Sequence, residues 1–242
     1  MPIRRLPLLL LLSAASAAAQ DAPATAAACS PGNVVCVELG LDGDGRPSYR
    51  VQRAGRQVLA PSRLGMILAD APKLERNLAI ADVRQATFDE TWEQPWGERR
   101  EVRNHYNELT VTLREKSGPG REFDVVFRLH DDGLGFRYAF DRQPALERLE
   151  IVEELTEFHL AEDATAWWIP AFEWNRAEYL YHATPLREVG DAQTPITLRM
   201  DDGLHVSIHE AALVDYAGMN LTRVEGRRLK AALTPGTSTR AN

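Results

Sequence analysis

The stretch FDVVFRLHDDGLGFRYAF, residues 123–140, holds two alternating runs on either side of Asp131-Asp132-Gly133. In the first run Phe123, Val125, Phe127 and Leu129 fall on one side; in the second, Leu134, Phe136, Tyr138 and Phe140 do. Successive side chains of a strand point to opposite faces, so each run reads as a strand with one apolar face. Asp-Gly between such runs is a strong hairpin signal, because the tight turn needs residues that tolerate positive φ. The segment therefore predicts an antiparallel hairpin packed on a core.

The same grammar extends in both directions. Val35, Val37, Leu39 and Leu41 alternate, DGDGR turns the chain, and Tyr49 and Val51 begin a return strand. Leu109, Val111 and Leu113 alternate again. Ile196, Leu198 and Met200 run into Asp201-Asp202-Gly203 and return through Leu204, Val206 and Ile208. Residues 146–158, LERLEIVEELTEF, read mostly as strand, since Leu149, Ile151 and Glu153 alternate. No helical periodicity is sustained after the amino terminus. Many strands with frequent turns predict an all-β chain, a large antiparallel β-sandwich or a pair of stacked sandwiches.

The amino terminus reads differently. MPIRRLPLLLLLSAASAAAQ has a basic start at Arg4 and Arg5, an apolar run Leu6–Leu12 and an Ala17-Ala18-Ala19 cleavage site. Residues 1–19 therefore read as a signal peptide, and the expected location is periplasmic or secreted. The apolar run is far short of the ~20 residues of a spanning helix. Residues 20–33 read as a flexible leader, 34–235 as the β domain and 236–242 as a disordered or aberrant tail. LKAALTPGTSTRAN starts as a strand through Leu229, Ala231 and Leu233 and then dissolves into small polar residues. It reads as a truncation or frame disruption near Pro235 that leaves an unpaired last strand.

The two cysteines, Cys29 and Cys36, suit a local disulfide in an oxidising compartment. The loop they would close is short, so the bridge would clasp the first strand rather than brace the core. The formal net charge of −7, with no basic stripe, argues against a nucleic-acid partner.

Three segments carry candidate chemistry. Thr87–Leu109, TFDETWEQPWGERREVRNHYNEL, reads as a loop holding Trp92, Trp96, His105, Tyr106, three arginines and six carboxylates. Either a tryptophan offers a flat face to a sugar ring, with Trp96, Glu98 and His105 as contacts, or the aromatics pin the loop to the sandwich. Residues 166–181, AWWIPAFEWNRAEYLY, read as a loop broken at Pro170. Within it Glu178 either helps bind a hard cation or pairs with Arg176 or Arg187. His209 and Glu210 are adjacent, so on a strand they would face opposite sides and not act as a dyad. HExxH, GxGxxG, a P-loop, a complete EF-hand loop and GxSxG are all missing from the sequence.

Taken together, ETWEQPWGERREVRNHYNEL (90–109), FRLHDDGLGFRYAF (127–140), WWIPAFEWNRAEYLY (167–181) and MDDGLHVSIHEAALVDYAGMNL (200–221) resemble the amino-terminal domain of glycoside hydrolase family 97. The likeness runs in order from about Asn33 to Pro235. It implies a galactose-mutarotase-like β-super-sandwich from an exported bacterial α-glucosidase or α-galactosidase. It implies a calcium ion held mainly by barrel glutamates, with one ligand from this domain, matched here by Glu178. The catalytic (β/α)8 barrel is absent from this sequence, so no catalytic residue carries over. The implied partners are that barrel and an α-linked oligosaccharide. The implied role is a non-catalytic domain, inactive alone, that packs on the barrel and walls its pocket. A stand-alone carbohydrate-binding β-sandwich is the alternative. A mutarotase-like isomerase would need a positioned His and carboxylate, and His209 and Glu210 give it no support.

Overall fold

A computed structural model describes residues 24–174, 177–214 and 216–234. The first half of the chain forms β1 (Thr25–Cys29), β2 (Val35–Leu41), β3 (Pro47–Arg53), β4 (Arg56–Arg63), β5 (Met66–Leu68), β6 (Leu78–Glu93), β7 (Glu101–Glu115), β8 (Glu122–His130) and β9 (Gly133–Ala139). The second half forms β10 (Ile151–Glu154), β11 (Glu157–Leu160), β12 (Ala164–Trp168), β13 (His182–Pro185), β14 (Asp191–Gln193), β15 (Ile196–Met200), β16 (His205–Ile208), β17 (Gly218–Glu225) and β18 (Arg228–Thr234). Among the described residues the one helical element is a 3-10 turn, Leu186–Glu188.

An eight-stranded antiparallel sheet has the order β1-β2-β3-β4-β11-β18-β17-β14. Two four-stranded sheets, β6-β7-β8-β9 and β13-β12-β15-β16, and the pair β10-β5 complete the fold. One apolar cluster joins the three larger sheets: Leu39 and Tyr49 from the first, Val111 and Phe127 from the second, Ala166 and Leu198 from the third. Tyr49 lies 5.2 Å from the Phe136 ring and 6.0 Å from Phe127, and its hydroxyl donates to the Glu157 carbonyl at 2.9 Å. That bond satisfies the polar end of a fully buried ring. The fold is thus the antiparallel β-sandwich that the alternation predicts.

The hairpin at 123–140 forms as expected, with His130 opposite Gly133 across the turn. In DGDGR, the Asp42 carboxylate accepts the backbone N–H groups of Asp44 and Arg46, both at 2.9 Å. Gly45 sits at φ +73°, where an added Cβ would lie 2.5 Å from the Leu78 carbonyl. The turn is held by its own Asp42 side chain.

Four expectations are corrected. Thr87–Leu109 is no loop: it is the outer part of the β6–β7 hairpin, paired residue for residue from Leu109 opposite Gln85 to Glu101 opposite Glu93. Only Gln94–Arg100 lies between the strands. Within the supposed leader 20–33, Thr25–Cys29 forms β1 on the edge of the large sheet. The start of AWWIPAFEWNRAEYLY is strand β12, and the irregular stretch follows it. The strand through Leu229, Ala231 and Leu233 is not unpaired: β18 lies between β11 and β17. The tail at 236–242 and the signal peptide at 1–19 lie outside the described residues.

Candidate functional site

The β6–β7 hairpin runs beyond the sandwich. β8 pairs with β7 only from Asn107 to Arg114, so the outer part is a two-stranded ribbon. Cross-strand partners share a face. One face therefore carries Phe88 with Tyr106, Glu90 with Asn104 and Trp92 with Val102. The opposite face carries Asp89 with His105 and Thr91 with Arg103. Phe88 stacks on Tyr106 at 4.8 Å, and the Arg128 guanidinium lies 5.0 Å over the Tyr106 ring. This stack anchors the base of the ribbon. Further out, Trp92 is half exposed.

The polar face is held by ion pairs. Arg103 donates to both oxygens of Asp89 at 2.7 Å. Those hydrogen bonds hold the Asp89 carboxyl below its ordinary value. At the tip, Gln94 Nε2 donates to the Arg99 carbonyl at 2.5 Å, and the Arg100 guanidinium pairs with Glu93 at 3.1 Å. Trp96 stands out of this turn with 84% of its surface exposed.

The three proposed sugar contacts are not gathered in one place. Trp96 and Glu98 sit on the tip, both exposed. His105 is four residues from the strand end at Glu101, about 13 Å down the ribbon at ~3.3 Å per residue. Tip and histidine therefore mark two positions along one arm.

Glu178 lies between β12 and β13, and it is exposed. The segment is clamped from behind by Gln193 of β14. Gln193 Nε2 donates to the Pro170 carbonyl at 2.9 Å and to the Ala177 carbonyl at 2.8 Å. Below it, Trp168 stacks on His182 at 4.9 Å and donates to Thr184 at 3.1 Å. Above, Phe172, Trp174, Leu180 and Tyr181 are exposed, Trp174 and Leu180 by 87% and 89%. Glu178 thus belongs to a segment that carries several exposed apolar side chains. Arg187 pairs with Glu188 at 3.6 Å rather than with Glu178. Arg176 lies outside the described residues.

Calcium takes six to eight oxygen ligands, and one carboxylate supplies at most two. Among the described residues no three His, Cys, Asp or Glu side chains converge as a metal site. The described residues therefore do not build a calcium site by themselves.

Cys29 and Cys36 face each other across β1 and β2, and their sulfurs are bonded. His209 and Glu210 lie just past the end of β16, and His209 Nδ1 contacts the Glu210 carbonyl oxygen at 2.7 Å. The expected strand placement with opposed side chains does not apply to them. Sequence reasoning missed Gln193, whose clamp depends on two carbonyls distant in the chain.

The family model for the glycosyl-hydrolase 97 N-terminal domain matches residues 29–239. A retaining alpha-galactosidase from Bacteroides thetaiotaomicron is 26% identical over 195 residues, 75% of this chain and 28% of the relative. A probable retaining alpha-galactosidase from Streptomyces bingchenggensis is 33% identical over 178 residues, 68% of this chain and 26% of the relative. A glycoside hydrolase family 97 enzyme from Pseudoalteromonas sp., solved in complex with panose, superposes with a TM-score of 0.83 at 40% identity. That match covers 87% of this chain and 32% of the enzyme's. The chain thus spans about a third or less of the length of each of these proteins. It belongs, by the family match and the shared fold, to the amino-terminal domain of glycoside hydrolase family 97.

Proposed function

We propose that this chain is the non-catalytic amino-terminal domain of an exported, calcium-dependent α-glycosidase. It packs on a catalytic barrel, walls one side of the pocket for an α-linked oligosaccharide, and lends Glu178 to a calcium ion held mainly by the barrel. The observation that carries this reading is the surface around Glu178. Four exposed apolar side chains in the segment that carries Glu178, Phe172, Trp174, Leu180 and Tyr181, are costly to leave in water and suit burial against a second domain. The relatives' length supports a second domain, since this chain matches only a fraction of each. Trp96 and Glu98 on the arm, with His105 lower down, are proposed to reach the substrate side of that pocket. Export rests on the sequence of residues 1–19; among the described residues no helix is long and apolar enough to cross a membrane.

The test has two arms. Purified alone, the chain should turn over neither an aryl α-glucoside nor an aryl α-galactoside, and measurable hydrolysis overturns the reading. Mixed with a separately produced family 97 barrel, it should raise calcium affinity, and Glu178→Gln should erase that gain.

A second reading, a stand-alone sugar-binding module, is favoured by one observation: the near-complete exposure of Trp96. Flat exposed indoles suit stacking on sugar rings. A tryptophan fluorescence titration with maltose or galactose separates the two, since only the module responds at millimolar sugar or below.

A further inference from the structure

β1 is one edge of the eight-stranded sheet, and its own sequence holds it weakly. Its five residues, TAAAC, pair with β2 alone among the described strands, and of them only Ala26 is buried. Side chains of the β6–β7 hairpin grip it from the neighbouring sheet. Gln85 Nε2 donates to the Ala27 carbonyl at 3.0 Å, and Asn107 Nδ2 donates to the Cys29 carbonyl at 2.8 Å. The Thr87 hydroxyl donates to Asn107 Oδ1 at 2.8 Å and so orients that amide. Just past β1, the turn into β2 seats on the β8–β9 turn, where the Asp131 carboxylate accepts the Gly32 N–H at 2.8 Å. An added Cβ at Gly32 would lie 2.7 Å from that carboxylate, so a glycine is needed for the approach. Gln85, Thr87 and Asn107 stand at the root of the arm, where β8 stops pairing with β7. Beyond the root the arm is a lone two-stranded ribbon, which is marginal in water. Its order therefore depends on what grips the root: the Phe88–Tyr106 stack on one face and β1 on the other.

We propose that the Cys29–Cys36 disulfide is a redox-sensitive clasp for the arm. Oxidised, it holds β1 as a strap across the arm's root; reduced, it lets β1 fray and the arm loosens with it. The bridge ties the last residue of β1 to its partner on β2. Without it, β1 keeps only its short run of cross-strand pairs, and closing a loop by a covalent bond is what restrains such a run from opening. The effect reaches past one strand because the carbonyls that Gln85 and Asn107 grip belong to β1 itself. Both cysteines are half-buried rather than sealed, so a small dithiol reaches them. One thiolate of the dithiol attacks a sulfur of the bridge and forms a mixed disulfide, and its second thiolate displaces the cysteine. The dithiol ends as its own disulfide, and two electrons and two protons pass to Cys29 and Cys36, which become thiols. The device needs neither calcium nor a barrel, so it goes beyond the proposed function and does not rest on it.

Amide hydrogen exchange on the purified chain, with and without excess dithiothreitol, tests this. Reduction should speed exchange at least about ten-fold in β1 and across residues 87–93 and 101–107, with β11 and β18 unchanged. A Cys29→Ser, Cys36→Ser double variant should match the reduced parent and ignore the reagent. A Gln85→Ala, Asn107→Ala double variant, with its bridge intact, should show the faster arm without reagent, and reduction should then add less than about two-fold there. Speeding in β1 alone, or nowhere, overturns the proposal, since the bridge then clasps no more than its own strand. So does speeding spread evenly through β11 and β18, which would make the bridge a brace of the whole domain. An arm that still loosens about ten-fold on reduction in the Gln85→Ala, Asn107→Ala variant also overturns it. None of these outcomes bears on Glu178, so the calcium reading stands or falls separately.

Discussion

The Arg121 guanidinium and the Glu115 carboxylate form a two-pronged ion pair sealed from solvent, with Nε–Oε2 at 2.9 Å and Nη2–Oε1 at 2.6 Å. Arg121 also donates its backbone N–H to the same carboxylate at 3.0 Å and Nη2 to the Pro72 carbonyl at 2.8 Å. Its Nη1 is buried and has no hydrogen-bond partner among the described residues. The pair closes the β7–β8 turn and ties it to the segment before β6. Removing one member strands the other as an uncompensated buried charge. Arg121→Met is therefore expected to cost about 3–5 kcal/mol. A fall in the urea midpoint at unchanged slope would register it; a loss under about 1 kcal/mol would mean the pair is worth no more than an exposed one.

The same pair predicts an acid limit. Burial pushes the Glu115 carboxyl up, but the side-chain and backbone hydrogen bonds from Arg121 outweigh it and hold it below its ordinary 4.5. With the folded value depressed, the unfolded chain takes up the proton first. The stabilisation is complete above the ordinary carboxylate range and is lost as pH falls through the lowered folded value. Urea midpoints measured from neutral pH to below about pH 4 should fall less steeply in an Arg121→Met, Glu115→Gln double variant than in the parent. Parallel curves would contradict this.

Gln193 acts on the backbone ahead of Glu178, donating to the carbonyls of Pro170 and Ala177, the second of which immediately precedes it. Gln193→Ala should leave the global urea midpoint within about 1 kcal/mol. In the chain combined with a barrel it should weaken calcium binding about ten-fold, as loss of a supporting hydrogen bond does elsewhere. Gln193→Glu keeps the length but loses the donor and should behave like alanine. Unchanged calcium affinity in both variants would show that the clamp positions nothing.

The tip of the arm offers a protease assay. Arg99 and Arg100 are exposed on a turn outside the sandwich. Exposed turns are the preferred sites of nicking. Limited trypsin should cut the free chain there first, and docking on a barrel should slow that cut several-fold. Trp96→Ala should leave stability within about 0.5 kcal/mol. Cleavage elsewhere first, or equal cleavage with and without the barrel, would count against a docked arm.

The sequence announces the hairpins that have one wet face and one dry face. Phe123–Phe140 reads correctly because burial imposes period two on it. The arm hides the same period. Both its faces meet water, so Asp89, Thr91 and Arg103 alternate with Phe88, Trp92 and Val102 under a blanket of charge, and composition reads as loop. β1 escapes notice because TAAAC has no side chain large enough to declare a face. Glu178 draws notice as a carboxylate in an aromatic segment, and family resemblance, not periodicity, singles out the metal role for it. The Gln193 clamp is invisible in principle, since it joins a side chain to two backbone carbonyls that no pattern marks.

The placement of β11 has a kinetic consequence. On one side it pairs with β4, His159 opposite Ala60; on the other with β18, Phe158 opposite Leu229. The two halves of the largest sheet thus meet at a four-residue strand whose neighbours come from opposite ends of the chain. Such long-range pairings carry a large loop-closure cost before they return any contact energy, and they slow folding. The sheet cannot close until Leu229 has been synthesised. Until then the amino-terminal hairpins wait as a half-formed layer, and the arrival of β18 decides when the large sheet closes.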